Sequence, residues 1–342
     1  MRIHCEINLR KQTNGLFLTG SIVTGTTRYV LDDDIVFNKI TISLSGRGNL
    51  AVQNMRKKDD TDGLITDEES YVSEDIIVLN DERGHVLPIG SYDTQFCFQL
   101  PLNIPPSLNY VKTNNNYTLR CRIGYYLKIE FEGPEGIKRF KTEINVSPGV
   151  NPTSYSEPKI YDKQRKLIQL LRNSFVTLKA TINTPVVAPG GKAELTYEVF
   201  NDTNVNFKSV ESKLIEETYL PRGQYDATFS NEVVTDIKPA GVRSGESQTI
   251  DVTVPIPRDV NSIENSKLIA RNYFVKITVY LPLPYRNVSL KVPVQIGDVI
   301  EERTPVESRE RRSSSWEVLE EDDGSVYDEQ EETESENSTF YK

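Results

Sequence analysis

Side chains suited to catalysis are sparse in this chain of 342 residues. It contains only two histidines, His4 and His85, and no nucleophile motif lies beside either of them. Imidazole is the most frequent general acid or base, and it commonly activates a nucleophilic Ser or Cys. The low histidine content therefore disfavours acid-base and triad chemistry, and we predict a protein that is not an enzyme and requires no cofactor. His85 follows Gly84 in a polar segment and is expected to be solvated.

One segment is similar to a phosphate-binding loop. Gly20 and Gly25 are five residues apart and hydroxyl side chains follow, but Thr26 stands where that motif requires Lys. Strand patterns flank the segment on both sides, whereas a phosphate loop leads into a helix. A strand and a turn are the favoured interpretation.

A second segment, residues 58–69, is similar to a calcium loop. It matches that motif at the third, fifth, sixth, eighth and twelfth positions, the last being Glu69. However, Lys58 occupies the first ligand position, and its ammonium group would repel the cation. A solvated acidic loop is the favoured interpretation, and weak calcium binding is the alternative.

The C-terminal segment carries candidate sites of regulatory phosphorylation. Arg309, Arg311 and the following serines fit the Arg-x-Arg-x-x-Ser pattern of basic-directed kinases, and acidic residues follow some of the serines. The predicted sites are Ser313, Ser314, Ser315 and Ser325. A phosphate would add a charge of up to about −2 and allow an arginine cluster to bind it. The alternative is a charge run that only maintains solubility.

Charge and cysteine content restrict the class of protein. The chain has 50 acidic and 40 basic residues, and residues 301–342 hold 15 of the acidic and 5 of the basic ones. Residues 1–300 therefore carry 35 of each and have no net charge. A neutral body offers no electrostatic footprint for nucleic acid or an anionic membrane. Three cysteines without metal-ligand spacing, no apolar run of signal-peptide length and no apolar run of membrane-spanning length together predict a cytoplasmic protein.

Alternation of apolar and polar residues predicts strands through the first 300 residues. Tyr125, Leu127, Ile129 and Phe131 share one face, and a Gly-Pro-Glu-Gly turn joins this strand to the next. Four later runs show the same pattern, at residues 176–182, 195–199, 273–281 and 288–296. Short strands separated by turn residues are typical of antiparallel sandwiches.

The organisation along the chain follows from these patterns. We predict all-β domains at 1–147 and 174–300, a proline-marked linker or crossover at 148–173, and a disordered acidic tail at 301–342. Residues 47–85 are polar and acidic, which predicts an irregular insertion in the first domain. Residues 166–172 are expected either to form a short helical turn or to lead into the next strand.

Several motifs in a fixed order resemble the alpha-arrestin (arrestin domain-containing) family. The densest is the run Leu87–Pro101, similar to the family's L-x-x-G-x-Y and F-x-F-x-L-P elements. The others are Gly15–Val23, Ile104–Leu108, Pro189–Gly191, Leu195–Thr203, Val254–Pro257, Tyr273–Ile277 and Pro293–Gly297. The resemblance covers about residues 1–300 and implies two arrestin-like (immunoglobulin-like) antiparallel β-sandwich domains.

The resemblance implies an adaptor in membrane-protein trafficking or receptor down-regulation. It would bind cytosolic segments of membrane proteins through sheet edges and concave faces, and it would lie in the cytoplasm or at the periphery of endosomes or the plasma membrane. The PPxY motif by which the family recruits ubiquitin ligases is absent, and Pro282-Leu283-Pro284-Tyr285 is the nearest string. Any ligase would therefore be reached indirectly. A stoichiometric subunit of an endosomal coat or retromer-type complex is the alternative, and an enzyme or ligand-binding sandwich is a third.

Overall fold

The computed structural model describes residues 2–10, 15–54, 64–113, 117–150, 157–168, 173–220, 227–234 and 241–299. All regular elements within these ranges are strands, and no described helix is long and apolar enough to span a membrane. The strands are β1 Ile3–Leu9, β2 Phe17–Leu18, β3 Ile22–Leu31, β4 Ile35–Asn54, β5 Leu64–Leu87, β6 Gly90–Gln99, β7 Leu108–Thr113, β8 Tyr117–Gly133, β9 Gly136–Ile144, β10 Val146–Ser147, β11 Gly149–Val150, β12 Lys159–Ile168, β13 Asn173–Ile182, β14 Val186–Val187, β15 Lys192–Asp202, β16 Ser209–Leu220, β17 Ala227–Val234, β18 Ser247–Pro255, β19 Ala270–Tyr280, β20 Val288–Ile296 and β21 Asp298–Val299.

Two sandwiches account for these strands, which confirms the predicted all-β fold class. In the first, the sheet β1-β3-β6 packs against the sheet β5-β4-β8-β7, and β9 also pairs with β8. In the second, the sheet β12-β13-β15-β18 packs against the sheet β14-β20-β19-β16-β17. Each sandwich has its own cluster of buried apolar side chains. The acidic segment 301–342, for which we predict disorder, lies outside the described residues.

Alternation along β8 shows how the sequence builds the first core. Tyr125, Leu127, Ile129 and Phe131 are fully buried, whereas the residues between them point to the opposite face of the sheet. Burying each such side chain stabilises the fold by about 1.5–3 kcal/mol. The Tyr125 hydroxyl donates a hydrogen bond of 2.5 Å to the backbone oxygen of Pro105, so its polar atom is satisfied inside the core. The predicted hairpin is confirmed, because β8 pairs with β9 through a turn that ends at residue 136.

The other predicted strands are also confirmed. The alternating runs at 176–182, 195–199, 273–281 and 288–296 lie in β13, β15, β19 and β20, the third run extending one residue beyond its strand. Phe96, Phe98 and Leu100 of the dense motif are buried in the first core. The segment similar to a phosphate loop forms the turn before β3 and the strand itself, as we predict from its flanking patterns.

Two strands differ from the sequence predictions. The described part of 47–85 is not an irregular insertion, because it completes β4 and supplies most of β5. Lys159–Ile168 lies inside the segment that we assign to the linker, yet it pairs with β13 over ten residues as β12. Both β5 and β12 are the outermost strands of their sheets. Their exposed side chains therefore lack the apolar alternation by which strands are recognised.

A buried asparagine orders the loops at one end of the second sandwich. Asn201 is fully buried, and its amide nitrogen donates to the backbone oxygens of Val205, Val242 and Arg243 at 2.9, 3.3 and 2.9 Å. Its amide oxygen accepts from the backbone nitrogen and the hydroxyl of Thr203. This Asn-x-Thr element is therefore architectural, and burial makes Asn201 inaccessible to glycosylation despite its sequon.

Short parallel strands connect the two sandwiches. β10 pairs with β2 in the first half of the chain, and β11, two residues later, pairs with β21 near the end of the described chain. The Ser147 hydroxyl donates to a carboxylate oxygen of Asp298 at 2.9 Å, and the backbone nitrogen of Gly149 donates to the Thr19 hydroxyl at 2.8 Å. Residues 146–150 thus bond to both halves of the chain.

A candidate binding trough on the first sandwich

A polar depression lies on the outer face of the larger sheet of the first sandwich, over β4, β5, β8 and β9. Its floor follows β4, where Ile40, Ile42 and Leu44 point into the core. The intervening residues, which include Thr41 and Ser43, therefore face outward. Both hydroxyl residues are less than a tenth exposed, so they lie at the bottom of the depression rather than on an open surface. We call this depression the trough.

The trough has a volume of about 590 Å³. That lies within the range of small-molecule sites, but such sites are lined mostly by apolar and aromatic side chains. Here hydroxyl and charged groups dominate the lining. The charged groups are the cations Lys39, Arg47, Arg122, Lys128 and Lys141 and the carboxylates Asp75, Glu130 and Glu132. A polar lining with an excess of cations suits a polar, extended ligand better than a buried apolar one.

Ion pairs and a ring contact hold part of the wall. Glu130 accepts from Arg139 Nε at 2.6 Å and from Lys128 Nζ at 3.1 Å, and the hydrogen bond from Arg139 is the main reason that the pKa of Glu130 is lowered. Lys141 Nζ lies 3.6 Å from the centroid of the Tyr126 ring, a cation-π contact. These contacts orient side chains on β8 and β9 before any ligand arrives.

Two cations of the trough remain available for a ligand. Within the described residues, neither Lys39 nor Arg47 forms a salt bridge, whereas Arg122 binds both carboxylate oxygens of Glu143 at 3.1 Å. Arg47 is exposed, and its guanidinium group can donate two parallel hydrogen bonds to a carboxylate. The trough thus contains two kinds of cationic group. Some already form ion pairs, and at least two do not.

The end of the sheet beyond the trough contacts the second sandwich. Glu69 accepts from the backbone nitrogen of Lys267 at 2.8 Å and from the Ser266 hydroxyl at 3.2 Å. The Tyr71 hydroxyl lies 2.9 Å from the same Ser266 oxygen, and burial raises the pKa of Tyr71. Gly48 permits this approach, because a Cβ there would come within 2.5 Å of the Tyr71 hydroxyl oxygen. The 266–268 turn therefore packs closely against β4 and β5.

A second contact between the sandwiches is made by Arg271, which Glu216 holds in place. Glu216 is the acceptor of two neighbouring groups. It accepts a hydrogen bond of 2.9 Å from the Tyr273 hydroxyl, and Arg271 Nε lies 3.8 Å from the same oxygen. The Arg271 guanidinium group lies 5.3 Å from the ring centroid of Tyr110 in β7. Arg271 thus links the carboxylate of Glu216 in the second sandwich to an aromatic ring of the first.

The candidates from the sequence lie elsewhere. His4 and His85 are exposed and neither lines the trough. Ser313, Ser314, Ser315 and Ser325 fall outside the described residues. Among the described residues, no group of three or more His, Cys, Asp or Glu side chains could hold a metal ion.

The calcium-like segment also departs from the predicted loop. Its last six residues, 64–69, belong to β5, and Glu69 bonds to the second sandwich; residues 58–63 are outside the described ranges.

The trough residues were not among the sequence candidates. Their only signal was the polar half of the alternation in β4 and β8.

Comparison with known proteins agrees with the two sandwiches. No curated protein matches the chain. The family described as arrestin (or S-antigen), N-terminal domain, matches residues 5–152, and the family described as arrestin (or S-antigen), C-terminal domain, matches residues 172–300. The two matches follow each other in the order of their names and together span most of the chain. The chain belongs to the arrestin family.

Proposed function

We propose that this arrestin-family protein is an alpha-arrestin-like adaptor that binds cytosolic segments of membrane proteins, and so acts in their trafficking or down-regulation. Arrestin domains suggest an adaptor or scaffold role at the general level. The observation that carries the specific proposal is the trough, with its hydroxyl floor and the cations Lys39 and Arg47, which are unpaired within the described residues. Such a surface can recognise an extended peptide without performing chemistry on it.

The recognition would proceed through polar contacts in a partly enclosed site. Thr41 and Ser43 present hydroxyl groups that can donate to or accept from a peptide backbone. Lys39 and Arg47 can bind carbonyl or carboxylate groups of the segment. The pairs around Glu130 and Glu143 already order one wall of the site, so the side-chain entropy lost on binding would come mainly from Lys39 and Arg47.

The remaining parts of the proposal concern partners and regulation. Ubiquitin ligases or other sorting machinery would be recruited indirectly, because the chain has no PPxY motif. The protein would act in the cytoplasm or at the periphery of endosomes or the plasma membrane. Phosphorylation at Ser313, Ser314, Ser315 or Ser325 would modify the charge of the acidic segment 301–342.

Proximity labelling in cells tests the proposal. The wild-type chain should label many membrane proteins, and the double variant Lys39→Glu/Arg47→Glu should lose most of them. The matched control is Lys192→Glu/Arg243→Glu, which makes the same charge change at exposed residues of the second sandwich and should retain the labelling. A single constant set of partners would instead identify a stoichiometric coat or retromer-type subunit. Equal labelling by the trough variant and its control would refute the role of the trough.

A further inference from the structure

β5 leaves one edge of its sheet open. It is the terminal strand in the order β5-β4-β8-β7, and among the described residues no other strand pairs with its outer side. In an antiparallel sheet, alternate residues of an edge strand direct their backbone N–H and C=O groups away from the sheet. Such a row of unpaired groups can bind another extended chain.

One stretch of this edge is regular enough to accept a strand. Val72–Ile77 pairs with Thr41–Gly46 without interruption, and register shifts border this stretch on both sides. Ser73, Glu74 and Asp75 are three exposed residues in succession, and Ile77 is 57% exposed. The 266–268 turn bonds to Glu69 and Tyr71, just before this stretch begins. A strand of six residues, about 20 Å long, fits beside it.

The charge of β5 restricts what can pair with it. Between Leu64 and Glu82 the chain has seven acidic residues and no basic one. Glu74 and Asp75 form no salt bridge within the described part of the chain. Pairing with β5 of a second copy would place carboxylates side by side, which is destabilising, whereas opposite charges on paired strands attract. The edge therefore favours a basic partner over itself.

The side-chain directions define the partner further. Asp75 lies opposite Ser43, on the face of the trough, whereas Glu74 lies opposite Leu44, on the other face. Two neighbouring carboxylates on opposite faces match two consecutive basic residues of a paired strand. Ile76 and the exposed Ile77 then lie beside the two residues on one side of this basic pair, where β-branched apolar side chains pack well.

We propose that the edge of β5 at Val72–Ile77 binds an extended basic segment of a partner protein by adding it as a strand to the sheet. The partner carries a Lys or Arg pair with apolar β-branched residues on the side that meets Ile76 and Ile77. The proposal deepens the adaptor function and rests on it for the source of the segment, since cytosolic segments beside membrane spans are enriched in Lys and Arg. The added strand would lie in the plane of the same sheet, beside Asp75 at the border of the trough, and would leave the cations of the trough free for another part of the ligand.

The probe is a synthetic nonapeptide with a central Lys-Arg pair between valines, added to the full-length protein. Amide hydrogen exchange read by NMR should show new protection at alternate residues of Val72–Ile77. A peptide with Glu-Glu in place of the basic pair, and one that is N-methylated at every backbone nitrogen, should give no protection. Protection by the methylated peptide, or none by the basic peptide, would overturn the proposal, as would binding that instead drives the protein into self-association through this edge.

Matched variants isolate the contribution of charge. Glu74→Gln/Asp75→Asn should weaken binding of the basic peptide roughly three- to tenfold, the effect of two exposed ion pairs. Glu194→Gln/Glu198→Gln removes two exposed carboxylates from β15, an interior strand without a free edge, and should change the affinity less than about twofold. Equal effects of the two pairs of substitutions would contradict the proposal.

The basic peptide and the trough variant together separate this inference from the proposed function. If the peptide fails to protect β5 while Lys39→Glu/Arg47→Glu still abolishes labelling of membrane proteins, the edge proposal fails and the adaptor function stands. If the peptide protects β5 but no membrane protein is labelled, the edge binds basic strands and the adaptor function fails.

Discussion

Replacing Asn201 by Asp should destabilise the second sandwich severely while hardly changing its shape. The amide nitrogen of Asn201 donates to three backbone oxygens at 2.9–3.3 Å inside a fully buried site. Asn201→Asp places an acceptor there, so it removes two N–H donors and leaves carbonyl oxygens unsatisfied. At about 1 kcal/mol for each lost bond and about 1–3 kcal/mol for a buried group left unpaired, the loss is about 3–5 kcal/mol. That is a large fraction of a typical domain stability of about 5–15 kcal/mol.

Urea unfolding followed by circular dichroism at pH 8 and at pH 5.5 measures this loss. The introduced carboxyl group is buried among carbonyl oxygens, so its pKa in the folded state is raised. Stability relative to the wild type should therefore recover as the pH falls, because the protonated group can donate one hydrogen bond. Asn272→Asp is the control, since Asn272 is exposed; its effect should stay within about 0.5 kcal/mol. A loss below about 1 kcal/mol at pH 8, or a pH dependence equal to that of the control, would refute the reasoning.

Three further outcomes follow from single contacts. Glu69→Gln weakens charge-assisted bonds to the 266–268 turn by about 1–2 kcal/mol, so the Lys267 amide should exchange faster with deuterium; an unchanged rate would contradict the contact. Tyr125→Phe should lower the free energy of unfolding by about 1–2 kcal/mol, measured in urea, and no change would mean that its buried hydroxyl contributes nothing. A maleimide should label exposed Cys97 first and Cys121 only after unfolding, because burial raises the pKa of Cys121 to about 12; early labelling of Cys121 would show that its site opens.

Strands with one buried face could be predicted from the sequence, and outermost strands could not. β8 and β13 lie inside their sheets, so every second side chain enters a core and the alternation is strong. Among the strands that the structure describes, β5 and β12 each pair on one side only, and many of their side chains are solvated. Solvated positions accept charged residues, so β5 resembles an acidic loop and β12 a linker. The errors at 47–85 and within 148–173 therefore have the same physical cause.

The trough could not be predicted because it depends on register. Alternation in β4 shows that Thr41 and Ser43 face away from the core, but not which residues lie beside them. Only the pairing of β4 with β8 and β5 brings Lys128 and Asp75 to the two sides of Ser43. These neighbours are more than 30 residues from Ser43 along the chain, and no local motif links them. A search for catalytic motifs therefore passes over the site.

Because core-facing and outward-facing residues alternate along β4, residues of the trough can be substituted without changing the core. Residues of β4 that face the core, such as Leu44, cannot be changed without loss of packing, which costs several kcal/mol. Arg47 extends from the opposite face into solvent, so Arg47→Glu should leave the free energy of unfolding within about 0.5 kcal/mol of the wild type. Loss of partner labelling by variants of this face, with unfolding in urea unchanged, would then report on recognition alone. If unfolding shifts by several kcal/mol instead, Arg47 contributes to the fold, and the trough cannot be assigned by that substitution.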